Sequence, residues 1–254
     1  MLRMPVRGTA TVVYYHQVPL ADRARFARQM DHLLRWTKPV RADINAPLAP
    51  GSRSVAVTFD DGWVSFVQNA LPELERRKIP ATVFMITDFM GAKIEADSDE
   101  QLMSAEQLKS VPDNLVTVGS HTLTHCRLTS VDEDEAKRQL VESRAKLENL
   151  LGRKVGLVAF PFTEYNTHLL ELSREAGYSR AFTGMPCFAF SCPGEFETGR
   201  VRVDPTDSML EFHLKLMCAY RWMPLAMAAK RRLMSNMRGA APRTPPGAAR
   251  PRSA

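Results

Sequence analysis

The sequence predicts an α/β fold, a barrel or distorted barrel. Short β-branched and apolar runs recur along the chain, amphipathic helical stretches separate them, and about seven such strands fall in one series with no internal repeat. Strands separated by helices pair in parallel, because each crossover needs a dozen or more residues.

Each element has its own signal. "TVVYYHQV" (11–18) is β-branched and aromatic and reads as the first, buried strand. A helix follows, capped by Asp22, with Phe26, Met30, Leu33 and Leu34 spaced on one face. "SVAVTF" (54–59) is the second strand, a helix covers 64–77, and "ATVFMI" (81–86) is the third strand. The polar stretch 88–103 reads as a loop into a short helix at 104–110, and "NLVTVGS" (114–120) is the fourth strand. The longest helix spans 132–151: Ser130 with Glu133 fits a capping box, Leu140, Leu147 and Leu151 share a face, and Gly152 stops it. A strand at 155–160, a helix at 167–176 ended by Gly177, strands at 180–183 and 199–203 and a helix at 207–219 complete the series.

Composition narrows the class. An apolar fraction of 44% allows a sizeable core, and no uninterrupted apolar run approaches a membrane span of about 18 residues. The net charge of +6 is uneven: residues 212–254 hold nine Lys/Arg and no acid, and the remainder carries 25 basic against 28 acidic side chains. A nucleic-acid face needs basic residues built into the folded body, so no nucleic-acid partner is expected. Two regions follow: a folded domain over 1–220 and a basic, largely disordered tail over 221–254, Pro/Ala/Arg-rich from Gly239. The tail is a candidate for weak peripheral contact with anionic membrane. The start, "MLRMPVRG", reads as a basic leader rather than a secretion signal, so the expected location is the cytoplasm or the cytoplasmic membrane face. Cys126, Cys187, Cys192 and Cys218 lack zinc-ribbon spacing; free, partly buried thiols are expected, with a Cys187–Cys192 disulfide as the alternative.

In parallel α/β folds, side chains at the carboxyl ends of strands line the site. Here those ends carry His16, Asp60–Asp61, His121 followed by His125, and Phe160–Pro161. Asp-Asp-Gly at 60–62 makes a turn or places two carboxylates at a metal. In "SHTLTH" (120–125) a helical turn would bring the two imidazoles to one side, about 5–6 Å apart, suited to one ion. Two imidazoles and a carboxylate leave coordination positions open, as catalytic metal sites do.

"VAVTFDDGW", "VGSHTLTH", "LGRKVGLVAFPFTEYN" and "EAGYSRAFT" together resemble the polysaccharide deacetylases, the NodB-homology or carbohydrate esterase 4-like family, over roughly residues 10–205. "VVYYHQVP" resembles the early Tyr-His motif of the poly-N-acetylglucosamine deacetylase branch. The resemblance implies the family's distorted barrel and a metal-dependent hydrolase that removes acetyl groups from an N-acetylated glycan or sugar conjugate. O-acetyl esterase activity, or a catalytically silent sugar-binding relative, are the alternatives. It assigns Asp61, His121 and His125 to a divalent ion (zinc by default; cobalt, nickel or iron also suit the donors) and Asp60 to the general base. The oxyanion falls to a backbone N–H near Phe162, with Tyr165 beside the substrate. His16 is the expected general acid, with His213 as its competitor. The family's usual arginine before the third-motif proline is Phe160 here, so the partner of Asp60 has to come from elsewhere. Arg200 is the candidate, against its reading as a surface arginine on an edge strand.

Overall fold

Strand order, more than strand count, positions the site. The computed structural model describes residues 8–93 and 100–222, so the expectations for the leader and for most of the tail lie outside the described residues. Among these residues nine strands form one all-parallel sheet: β1 (Thr9–Tyr15), β2 (Lys38–Pro39), β3 (Arg53–Phe59), β4 (Ala81–Met85), β5 (Val116–Ser120), β6 (Leu157–Ala159), β7 (Arg180–Phe182), β8 (Glu197–Thr198) and β9 (Val201–Arg202). The order is β8-β7-β6-β5-β4-β3-β1-β9, with β2 beside the start of β3. The two ends of this order are therefore consecutive in the chain, and Gly199–Arg200 alone carries the backbone from the β7 side to the β1 side. This segment closes the curled sheet into a distorted barrel.

Alternation along β1 explains the two-layered core. Val13 and Tyr15 face outward into the large cluster beneath the helices, whereas Ala10 and Val12 face inward with Ala56, Phe84, Leu157 and Phe182. Among the described residues five helices cross between the strands, α1 (Arg23–Trp36), α2 (Leu71–Arg77), α3 (Ala105–Lys109), α4 (Glu133–Leu151) and α5 (Thr167–Glu175), and α6 (Met209–Leu216) follows β9.

Several local expectations are corrected. Leu34 is exposed, and buried Gln29 replaces it on the inner face of α1, held by Tyr15 Oη at 2.8 Å. Asp22 precedes α1 in a helical conformation and its carboxylate bonds Arg25 rather than a backbone N–H. Ser130 ends a 3₁₀ turn and does not cap α4. Extended Asp132 caps it, accepting from the Glu135 N–H at 2.8 Å. The 64–77 helix begins with a π-helical turn, Phe66–Ala70. Cys187 and Cys192 are exposed rather than partly buried, and neither is bridged.

Candidate active site

β3 ends in Phe59, and the next two residues behave differently. Asp60 is still anchored as strand, its N–H donating to the Tyr15 carbonyl at 2.9 Å, and it continues the inward alternation. Asp61 then adopts a left-handed φ of 68°, and Gly62 follows at φ 87°, where a Cβ would lie 2.1 Å from Met85 Sδ. The Asp-Asp-Gly turn and the paired carboxylates are thus one feature, because the turn aims the second carboxylate away from the first.

Arg200 is fully buried, which rules out its surface reading. Its guanidinium grips Asp60 with both arms, Nη1 to Oδ1 at 2.7 Å and Nη2 to Oδ2 at 2.9 Å. Nε donates to the Thr183 carbonyl at 3.3 Å, and the Tyr14 ring lies 4.5 Å away. Burial by itself would raise the Asp60 carboxyl. The Arg200 charge overcomes this and holds it below the ordinary carboxylate range.

Asp61 meets the opposite environment. Its Oδ2 accepts from Trp63 Nε1 at 2.9 Å. Its buried Oδ1 has no hydrogen-bond partner and lies 3.4 Å from His121 Nε2 and 3.5 Å from His125 Nε2. Burial, with Asp60 nearby, pushes the Asp61 carboxyl up to about 6. His121 follows β5 directly, and its Nδ1 bonds the Ala159 carbonyl at 2.8 Å, so Nδ1 carries the proton and Nε2 offers its lone pair. Burial brings the His121 imidazole down to about 3, keeping it neutral.

The two imidazoles converge without the expected helical turn. Thr122 and His125 have left-handed φ values of 69° and 57°, and Gln139 of α4 accepts from the Leu123 and Thr124 N–H groups. The ring centroids are 5.0 Å apart. Ligand atoms of Asp61, His121 and His125 all lie within 4.8 Å of one another. A buried carboxylate oxygen without a partner, facing two imidazole nitrogens, is a donor set that a divalent cation would satisfy. The residues fit such an ion.

These residues open on a cavity of about 360 Å³ that His16, Tyr14, Phe160, Phe162 and Arg202 also line. Phe162 has a left-handed φ of 57° and is exposed; its ring packs 4.7 Å from His125, and the Arg127 guanidinium lies 4.1 Å over it. Tyr165 is not brought into this cavity. Its ring stacks on Phe160 at 5.8 Å and its hydroxyl donates to Glu197 at 2.6 Å. His213 is also elsewhere: on α6 it pairs with His32 Nε2 at 3.0 Å, beside a separate cavity of about 560 Å³ at the amino ends of β1 and β3. Sequence reasoning missed Trp63 and Tyr14 as partners of the site, although both lie inside the motifs that flagged it.

The polysaccharide deacetylase family model matches residues 48–181. YxkH of Bacillus subtilis, named for the same family, is 28% identical over 156 residues, covering 61% of this chain and 53% of the relative. A Staphylococcus aureus poly-beta-1,6-N-acetyl-D-glucosamine N-deacetylase is 27% identical over 140 residues, 52% of this chain and 48% of the relative. The chain thus spans about half the length of these curated relatives. The structure of IcaB from Ammonifex degensii superimposes with a TM-score of 0.68 at 26% identity, over 86% of this chain and 99% of that one. Matched over more than half its length and sharing the barrel, this chain belongs to the polysaccharide deacetylase family.

Proposed function

We propose that this hydrolase is metal-dependent and removes N-linked acetyl groups from an N-acetylated amino sugar in a polysaccharide or glycoconjugate. The observation that carries the reading is the pair of neighbouring aspartates with opposite environments, one clamped by a buried arginine and one left with an unpartnered oxygen between two imidazoles. Asp61, His121 and His125 would hold the cation, zinc being the default for this donor set. When bound, such an ion polarises the acetyl carbonyl and lowers the pKa of water.

The remaining work falls to the chain's own groups. Asp60, ionised by its contact with Arg200, accepts the proton of the attacking water; each carboxylate oxygen retains a lone pair beyond the one Arg200 engages. The Phe162 backbone N–H is assigned to the oxyanion. His16, lining the same cavity, gives its proton to the leaving amine, and the separate cavity that His213 lines supports this choice. Tyr165 acts from behind by bracing Phe160.

The test is acetate release from N-acetylated and O-acetylated sugars after chelation and metal add-back. Release from a chito-oligosaccharide should stop on chelation and return with Zn2+. Release unaffected by chelation, or confined to O-acetyl substrates, overturns the reading.

A further inference from the structure

We propose that the mouth of the cavity carries a subsite for an anionic group of the substrate, a phosphate or carboxylate near the acetylated sugar, recognised by Arg202. The inference rests on the glycan reading above and adds a substrate class to it. Arg200 and Arg202 sit two residues apart at the closing segment of the barrel. Arg202 pairs in register with Tyr14, so the two side chains leave the same face of the sheet, the face on which Tyr14 covers the Arg200 guanidinium. Both Tyr14 and Arg202 line the active-site cavity.

The two arginines differ in their partners. Arg200 is fully buried and saturated by Asp60. Arg202 is exposed, and among the described residues its guanidinium has no hydrogen bond or ion pair. Asp204, two residues on, is near enough to feel its charge, but its Oδ1 is engaged by the Thr206 N–H at 2.8 Å and the Thr206 hydroxyl at 2.5 Å. Of the cavity's two carboxylates, Asp60 is committed to Arg200, while Asp61 accepts from Trp63 and turns its other oxygen to the imidazole pair. An unpaired guanidinium fork at the mouth therefore faces whatever substrate group extends from the cavity, and phosphate and carboxylate match its geometry.

The experiment is titration calorimetry on the full chain at low salt with three probes of equal length: tetra-N-acetylchitotetraose, a phosphorylated form, and a form bearing one uronic acid. One anionic probe should bind roughly tenfold more tightly than the neutral one, and which one identifies the anion. Arg202→Ala should erase that preference, bringing the anionic probes to the affinity of the neutral one, Arg202→Lys should keep part of it, and added salt should shrink it. Equal affinity for all three probes, or a preference that survives Arg202→Ala, overturns the proposal. If the anionic preference holds while no probe releases acetate, the subsite stands and the catalytic reading fails.

Discussion

Cutting the Asp60–Arg200 clamp from either side should be costly, and cutting both sides less so. Asp60 is 3% exposed and Arg200 fully buried, so Arg200→Met strands a carboxylate and Asp60→Asn strands a guanidinium. Removing one partner of a buried ion pair typically costs about 3–5 kcal/mol. In a domain of this size that corresponds to a Tm lower by roughly 10 °C. The methionine keeps an apolar stem against Tyr14, Phe84 and Phe182, which lie 4.5, 5.3 and 5.9 Å from the guanidinium, so lost packing is a minor part of the change. The double variant, with no uncompensated charge, should be more stable than the sum of the single losses predicts, by on the order of 3 kcal/mol. Arg200→Met should also raise the Asp60 carboxyl, because burial is then opposed only by the weaker influence of His121 and His16. Any residual acetate release should then fail at a higher pH than in the wild type, since a base must be ionised to act. Urea unfolding of the four proteins and a pH–rate profile provide the readout. Additive losses, or an acid limb that does not move, refute the reasoning.

The two aspartates should separate by metal content: Asp61→Asn, His121→Ala and His125→Ala lose bound Zn2+ by elemental analysis, whereas Asp60→Asn keeps it and loses about 10²–10⁴-fold in turnover. Because burial pushes Asp61 up to about 6, its proton competes with the cation. Metal affinity by calorimetry should therefore fall about tenfold per pH unit below that point through this group, and level off above it. His121 stays neutral down to about 3 and adds nothing to that window. His16→Ala should abolish most amide hydrolysis and spare aryl acetates, whose phenolate leaves without a proton, while His213→Ala stays mild on both; the opposite pattern transfers the acid role away from His16.

The barrel was legible because β1, β3 and β4 are largely apolar runs of seven, seven and five residues, and the site because chemistry-bearing residues fall at strand ends. Asp60–Asp61 and His121 could be placed before any side chain was seen. What escaped was set by contacts distant in sequence. The SHTLTH loop reads as a helical turn locally, but Gln139, 15 and 16 residues on, bonds its backbone into another path. Ser130 and Asp132 are both good caps by residue type, and the 3₁₀ turn that consumes Ser130 decides between them. Strands of two residues, such as β2, carry no periodicity to detect. Tyr165 lies near the end of the third motif, yet its direction depends on Glu197, 32 residues later. Arg200 could be named but not placed, since surface and buried readings of "TGRVRV" differ only in whether the segment joins both edges of the sheet.

That junction also bears on the order in which the molecule becomes competent. Every group assigned to the cation and both aspartates lies before residue 126, whereas the counter-charge of Asp60 stands 140 positions further along the chain. A nascent chain displays the four earlier side chains first, without the Arg200 charge that most offsets the burial of Asp60. Only when Glu197–Arg202 bridges the open seam does Gly199, with the Met185 carbonyl 2.1 Å from where a Cβ would stand, let the backbone pass and deliver the guanidinium. Contacts of such sequence separation carry a large loop-closure cost. On the proposed chemistry, the stretch that closes the seam is also the one that supplies the charge holding the base ionised, so closure of the barrel and arming of Asp60 are one event.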